Sequence, residues 1–207
     1  MFLALGSTVS DMPGVREEKA ALRARLLTAR AELPGEQRTA AGRAIRDALL
    51  ERPEVQMAGT IAAYYSVGAE PGTHGLVFAL WKRGSYVLLP LLRPDGDLDW
   101  ASYEGPDSLV PGPRGLLEPG ESPRGPGAVA RADVVLAPAL AVDRTGNRLG
   151  RGGGSYDRAL ARVGPMVPLI ALVYDAELLD RVPAEPHDVK VRAAVSPGAG
   201  VTMTRVG

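Results

Sequence analysis

The stretch Ala132-Asp-Val-Val-Leu-Ala-Pro-Ala-Leu-Ala-Val142, followed at once by Asp143-Arg-Thr-Gly-Asn-Arg-Leu-Gly-Arg-Gly-Gly-Gly-Ser-Tyr-Asp157, decides how the chain is read. Its first half is strongly apolar on both sides, as a strand buried inside a parallel sheet requires. Its second half sets four glycines, Gly150 and Gly152 to Gly154, within five positions. Backbone N–H groups can converge there without side-chain obstruction, and a helix predicted over 154–163 adds the positive end of its dipole. Arg148 and Arg151 bring permanent positive charge to the same loop. This is what a polyphosphate site requires. No Gly-Lys-Ser/Thr follows, so it is not a Walker A loop, and GxGxxG is not satisfied either. A flexible glycine-rich turn with two solvated arginines is the competing reading of the same composition.

Strands and helices alternate outward from that loop. Residues 17–31 and 36–51 have apolar positions at helical spacing and predict two antiparallel helices turning at Pro34-Gly35. Strands are predicted over 59–66, 85–92, 98–103, 132–142, 167–174 and 191–195, and further helices over 73–83 and 154–163. Residues 104–127 are crowded with glycine and proline and read as a long irregular excursion. The fold class is therefore α/β: a mostly parallel open sheet with helices on both faces, three-layered and Rossmann-like, carrying an N-terminal helical hairpin. Such sheets bind ligands beyond the carboxyl ends of their strands, which directs attention to the loops after Tyr65, Leu92, Val142 and Tyr174.

At 207 residues the chain suits one domain, predicted as 16–207, with residues 1–15 expected to be a frayed, disordered leader. Hydrophobic residues at 45% and charged residues at 23% exclude a disordered or fibrous class. Basic and acidic residues number 24 each, so no general attraction for nucleic acid or an anionic membrane is expected. Cysteine is absent, which excludes disulfide scaffolds, thiolate nucleophiles and Cys-ligated metals. No segment approaches the length of a membrane span or a signal-peptide core. A cytoplasmic monomer is the expectation.

Other residues are ambiguous singly. Lys19 and Arg23 project from one face of a helix, as an anion clamp or as a solvated basic face beside Glu17 and Glu18. Glu70, just past a predicted strand, could accept hydrogen bonds from a ligand's N–H groups, or could merely favour the next helix, for which Thr73 is a candidate N-cap. Asp157 could hold Mg²⁺ or be an ordinary first-turn helix acid. His187-Asp188 is a weak pair, and His74 reads as a helix surface residue rather than a base. Tyr64, Tyr65, Tyr156 and Trp100 could stack on a flat ligand, though core packing explains each.

Taken together, these residues closely resemble the 5-formyltetrahydrofolate cyclo-ligase family, over about 19–195. The specific part is Arg148-Leu-Gly-Arg-Gly-Gly-Gly-Ser-Tyr-Asp157, supported by Lys19-Ala-Ala-Leu-Arg23, Glu70-Pro-Gly-Thr73 and Pro186-His-Asp188. The resemblance implies ATP-dependent closure of 5-formyltetrahydrofolate, with or without a polyglutamate tail, to 5,10-methenyltetrahydrofolate. It implies that ATP is held by Lys19, Arg23, Arg148, Leu149, Gly150, Arg151, Gly152, Gly153, Gly154, Ser155 and Tyr156. The folate falls to Tyr65, Glu70 and the segment Arg151, Gly152, Gly153, Gly154 and Ser155; Arg151 and Tyr156 are the catalytic groups. Mg²⁺ falls to Asp157, with Asp188 as the nearest second carboxylate. Departures from the family pattern are Ser155 in place of a tyrosine, Arg192 in place of an acid, and Pro71-Gly72 in place of an apolar-acidic pair. A catalytically silent folate or nucleotide binder on the same scaffold is the alternative; the phosphate-directed arginines weigh against it. An isomerase-like activity rests on fold analogy alone.

Overall fold

The computed structural model of the protein describes residues 13–206. Residues 1–12, most of the expected leader, lie outside the described residues, while Pro13 to Val15 belong to the first helix. Helix α1 spans Pro13–Glu32 and α2 Gly35–Leu50, with α3 a single turn at Pro53–Gln56. Then come β1 (Thr60–Ala62), α4 (His74–Lys82), β2 (Tyr86–Leu92) and β3 (Leu98–Ser102). A hairpin follows, β4 (Leu109–Pro111) and β5 (Leu117–Pro119). The second half holds β6 (Val134–Pro138), β7 (Ala141–Asp143), β8 (Arg148–Leu149) and α5 (Ser155–Leu160). The chain closes with β9 (Leu169–Leu172), β10 (Leu178–Leu179), β11 (Ala193–Ser196) and β12 (Gly200–Met203).

The main sheet has seven strands in the order β12-β11-β9-β6-β1-β2-β3. Its inner strands pair in parallel, and antiparallel β3 and β12 close the two edges. Side chains alternate across a strand, so both faces can be read directly from the sequence. Ile61, Val134, Leu136, Ile170, Leu172 and Val195 face one cluster, with Ile45 and Leu49 of α2 and Leu76, Val77 and Leu80 of α4. Ala62, Val135, Ala137, Leu169, Ala171 and Ala194 face the other, with Ala159 and Leu160 of α5, Trp100 and Val129. This is the expected three-layer α/β arrangement. The N-terminal helices serve different cores: α2 joins the main one, whereas Leu26 of α1 packs with Leu140, Ala141, Leu149 and Val182.

The strand expected over 132–142 is two strands. Pro138 ends β6, and the chain steps into a small sheet of order β10-β7-β8, where Leu140 N–H donates to Leu149 O at 2.7 Å. The Ala139 carbonyl between the two is taken by Arg30 Nη2 at 2.5 Å. The 104–127 excursion is not irregular throughout, since β4 and β5 pair within it. The helix expected over 154–163 is only Ser155–Leu160, its end tightening as Arg162 N–H and Val163 N–H bond the carbonyls of Ala159 and Leu160. Its dipole is correspondingly short. Strand β12, pairing with β11, was not expected.

Candidate active site

From β1 the chain winds outward to β2 and β3, then returns to β6 and winds the other way through β9 and β11. The carboxyl ends of β1 and β6 therefore flank the switch point at which open α/β sheets form ligand crevices. A cavity of about 330 Å³ opens there. Tyr64, Tyr65, Val67 and Glu70 line it from the segment after β1, Pro138 to Leu140 from the end of β6, and Gly150 to Asp157 from the glycine loop. Arg114, Leu116, Leu117 and Glu118 of the β4–β5 hairpin, for which the sequence indicates no role, also line it.

Thr73 braces the segment after β1. Its hydroxyl donates to Tyr64 O at 2.6 Å and accepts from Ser66 N–H at 2.9 Å, while its own N–H donates to Ser66 Oγ at 3.0 Å. Thr73 occupies the N-cap position of α4 but makes no side-chain cap, because its hydroxyl is committed to this brace. Glu70 Oε2 accepts Val67 N–H at 3.0 Å. Tyr65 lies flat against His74, centroids 3.9 Å apart and planes within 9°, and His74 Nε2 is 2.8 Å from Ser66 O. His74 thus sets the orientation of Tyr65 and stays outside the cavity lining.

The glycine loop is shaped by Asp143, a buried carboxylate that the sequence reading passed over. Burial opposes its ionisation, but bonds from Val182 N–H, from Thr145 and from Asn147 prevail and hold it below the usual carboxylate range. That turn sends the chain back through β8 into the glycines. Gly152 and Gly154 have φ of 100° and 68°, a region open to glycine at little cost. A Cβ on Gly152 would touch the Arg23 guanidinium at 3.4 Å, and one on Gly154 would crowd Arg158 Nη1 at 2.9 Å.

The arginines divide their work. Arg148 is buried and donates through Nη2 to Asp157 Oδ1 at 2.6 Å and through Nη1 to Pro138 O at 3.3 Å. Arg23 Nε donates to Gly150 O at 2.9 Å, fixing α1 to the loop. Arg151 is 56% exposed, with Nε 3.9 Å from Glu70 Oε1, so two of the residues expected to meet the folate lie side by side. Leu149 turns its side chain into the small core beside Leu26, leaving only its backbone for a ligand. Ser155 lines the cavity at the start of α5.

Two phenols complete the lining. The hydroxyls of Tyr64 and Tyr156 are buried and have no hydrogen-bond partner among the described residues. Burial, with Glu70 nearby, pushes both far above the ordinary tyrosine range, so they stay neutral donors at physiological pH. Unpaired hydroxyls on residues that line the cavity fit a ligand that accepts from them.

Lys19 does not line the cavity. It is buried, and its Nζ lies 2.5 Å from Asp188 Oδ2 and 2.7 Å from Glu185 Oε2. The hydrogen bond from Lys19, aided by one from Arg16, holds the Glu185 carboxyl below its usual range. Carboxylate and imidazole atoms of Glu185, His187 and Asp188 all lie within 4.8 Å of one another. Val189 N–H reaches Asp157 Oδ1 at 3.5 Å, which brings the two expected metal carboxylates to adjoining segments. Arg192 turns aside to the carbonyl of Pro165. Beneath all this, Arg30 and Glu177 form a buried pair (Nε to Oε1 2.6 Å) that the sequence reading missed.

Among the described residues no helix is long and apolar enough to cross a membrane. Residues 15–197 match the family described as the 5-formyltetrahydrofolate cyclo-ligase family. A 5-formyltetrahydrofolate cyclo-ligase of Mycolicibacterium smegmatis is 41% identical over 193 residues, 90% of this chain and 97% of that one. The Escherichia coli K12 protein of the same name is 33% identical over 175 residues, covering 81% and 94% of the two chains. The solved 5,10-methenyltetrahydrofolate synthetase of Aquifex aeolicus superposes with a TM-score of 0.77 at 26% identity, covering 91% of this chain and 94% of that one. With the glycine loop and Glu70 brought to one cavity, the chain belongs to the 5-formyltetrahydrofolate cyclo-ligase family.

Proposed function

We propose that the protein converts 5-formyltetrahydrofolate to 5,10-methenyltetrahydrofolate using ATP, with release of ADP and phosphate. The observation that carries this reading is the single cavity in which the glycine loop, Arg151, Glu70, Tyr65 and Tyr156 meet, in a chain of this family. An amide-like formyl oxygen is a poor leaving group. The terminal phosphoryl group of ATP is transferred to it, a new P–O bond forming as the bond to ADP breaks. N10 then attacks the formyl carbon, and phosphate departs with the former formyl oxygen and the C–O electron pair, while the N10 proton is lost to solvent. Alignment and charge neutralisation are what the protein has to supply.

Glycine-loop N–H groups, Arg23 and Arg148 hold the phosphates, and Arg151 faces the phosphoryl group in transit. Glu70 accepts from the pterin N–H groups. Tyr65, held flat by His74, stacks on the folate, and Tyr156 donates to the formyl oxygen. Asp157 and Asp188 suit Mg²⁺ in kind, being hard oxygen donors of which the ion usually takes one or two. Both hydrogen bonds to Asp157 fall on Oδ1. Bound there, the ion supplies charge neutralisation at phosphate oxygens. Lys19 balances Glu185 and Asp188, and its charge would be freed for phosphate where those carboxylates held the ion.

Substrate carrying isotopically heavy oxygen in the formyl group tests the route. The heavy atom is expected in the released phosphate, read by mass spectrometry. Phosphate free of label, with methenyl product still formed, would refute phosphorylation of the formyl oxygen.

A further inference from the structure

We propose that Arg114, at the tip of the β4–β5 hairpin, is a carboxylate subsite that receives the glutamate end of the folate. This rests on the folate reading above and names a specificity residue that the glycine loop and Glu70 do not supply.

Four guanidinium groups line the cavity, those of Arg30, Arg114, Arg148 and Arg151. Three are engaged. Arg30 is bonded to Glu177 and Ala139 O, Arg148 to Asp157 and Pro138 O, and Arg151 approaches Glu70. Arg114 is exposed and has no hydrogen-bond or ion-pair partner among the described residues. A fork of five donors with permanent charge matches a carboxylate.

The hairpin around it is built, not slack. Gly112 N–H donates to Leu116 O at 2.9 Å and Leu116 N–H to Pro113 O at 3.1 Å, closing the tip. Glu118 Oε1 accepts Leu92 N–H at 2.8 Å, which pins β5 to the end of β2. At the tip Arg114 adopts a φ of 57°, the only positive value at a non-glycine among the described residues. A bulky residue sits there at a steric cost, which an ordinary solvated arginine would not explain.

The chemistry of the hairpin matches the substrate. Leu116 and Leu117 add apolar surface beside Arg114 in the cavity lining, and Leu117 is 42% exposed. A folate has a polar pterin, an apolar aminobenzoyl ring and then a dicarboxylate. With the pterin against Glu70, the ring lies along the leucines and the tail carboxylates reach Arg114.

The test uses the full chain, equilibrium binding by calorimetry, and two ligands: 5-formyltetrahydrofolate and its diamide, in which both glutamate carboxylates are neutral. Wild-type protein is expected to bind the diamide about fivefold more weakly, the size of an exposed charge pair, and less distinctly at high salt. Arg114→Gln keeps the stem and should weaken the natural substrate about fivefold while leaving the diamide unchanged. Arg114→Lys should recover part of the loss. Equal weakening of both ligands by Arg114→Gln, or weakening of neither, overturns the subsite. If wild-type protein binds neither ligand, the folate reading itself falls and the subsite with it; if it binds both equally well, only the subsite falls.

Discussion

Arg30→Ala is the most informative perturbation outside the cavity chemistry. The Arg30 and Glu177 side chains are each 4% exposed. Arg30 Nε and Nη2 donate to the two Glu177 oxygens at 2.6 and 2.8 Å, and Nη2 also donates to Ala139 O. Without the guanidinium, Glu177 keeps only the bond from Tyr174 N–H among the described residues. A carboxylate left buried in that state costs about 3–5 kcal/mol. For a chain of this size that is a fall in Tm of about 6–20 °C. The pair is not expected to stabilise the fold relative to an uncharged replacement, so Arg30→Met/Glu177→Gln should recover more than half of the loss. Lys19 and Arg23 lie about three and two turns before Arg30 on α1, so the single variant should also raise KM for ATP more than KM for folate. Thermal melts of wild type, Arg30→Met, Glu177→Gln and the double variant, run as a cycle beside Arg30→Ala, give the coupling directly. A melt within 2 °C of wild type (about 1 kcal/mol or less), or a double variant no better than the single, would refute the reasoning.

Arg151→Ala should remove most of the turnover while leaving the Tm near wild type, because its side chain is largely exposed; unchanged kcat in a steady-state assay contradicts its place on the phosphoryl path. Glu70→Gln should weaken folate binding by about tenfold through loss of a charge-assisted acceptor, with ATP affinity intact; calorimetry showing the reverse pattern would mean the site is oriented the other way. Asp143 is depressed below its unfolded value, so its contribution to stability is present above about pH 4 and is lost as pH falls through the folded value. Asp143→Asn should accordingly lower stability at pH 7 and flatten the acid limb of a stability-against-pH curve. An acid limb that keeps its full slope in the variant would rule this out.

What could be read in the sequence was what local chemistry dictates. Val134 to Ala137 had to be a doubly buried strand, and Gly150 to Gly154 had to be a loop open along its backbone, whatever the topology. What could not be read depended on residues far apart. Arg30 meets Glu177 across 147 positions, and Lys19 meets Asp188 across 169, so nothing within a window of sequence marks either pair. The break after Pro138 escaped notice because Ala139 to Val142 is as apolar as the strand before it, and only the capture of the Ala139 carbonyl by Arg30 explains the step. The β4–β5 hairpin was hidden by the prolines and glycines that usually mark loops; its edge position lets it keep Pro111 and Pro119. Tyr64 was read as core packing. Its ring is buried as expected, yet the residue lines the cavity and its hydroxyl is unpaired among the described residues, which spacing alone cannot reveal.

The central claim is that one cavity brings ATP and 5-formyltetrahydrofolate together for ring closure. The most direct test mixes purified protein with 5-formyltetrahydrofolate, Mg²⁺ and ATP and follows the near-ultraviolet absorbance of the methenyl product, with ATP-free and metal-free controls. The account predicts a rise that requires both ATP and the metal. No rise, from protein shown to bind both ligands, would contradict it and favour a silent binder, with Ser155 and Arg192 the first positions to examine.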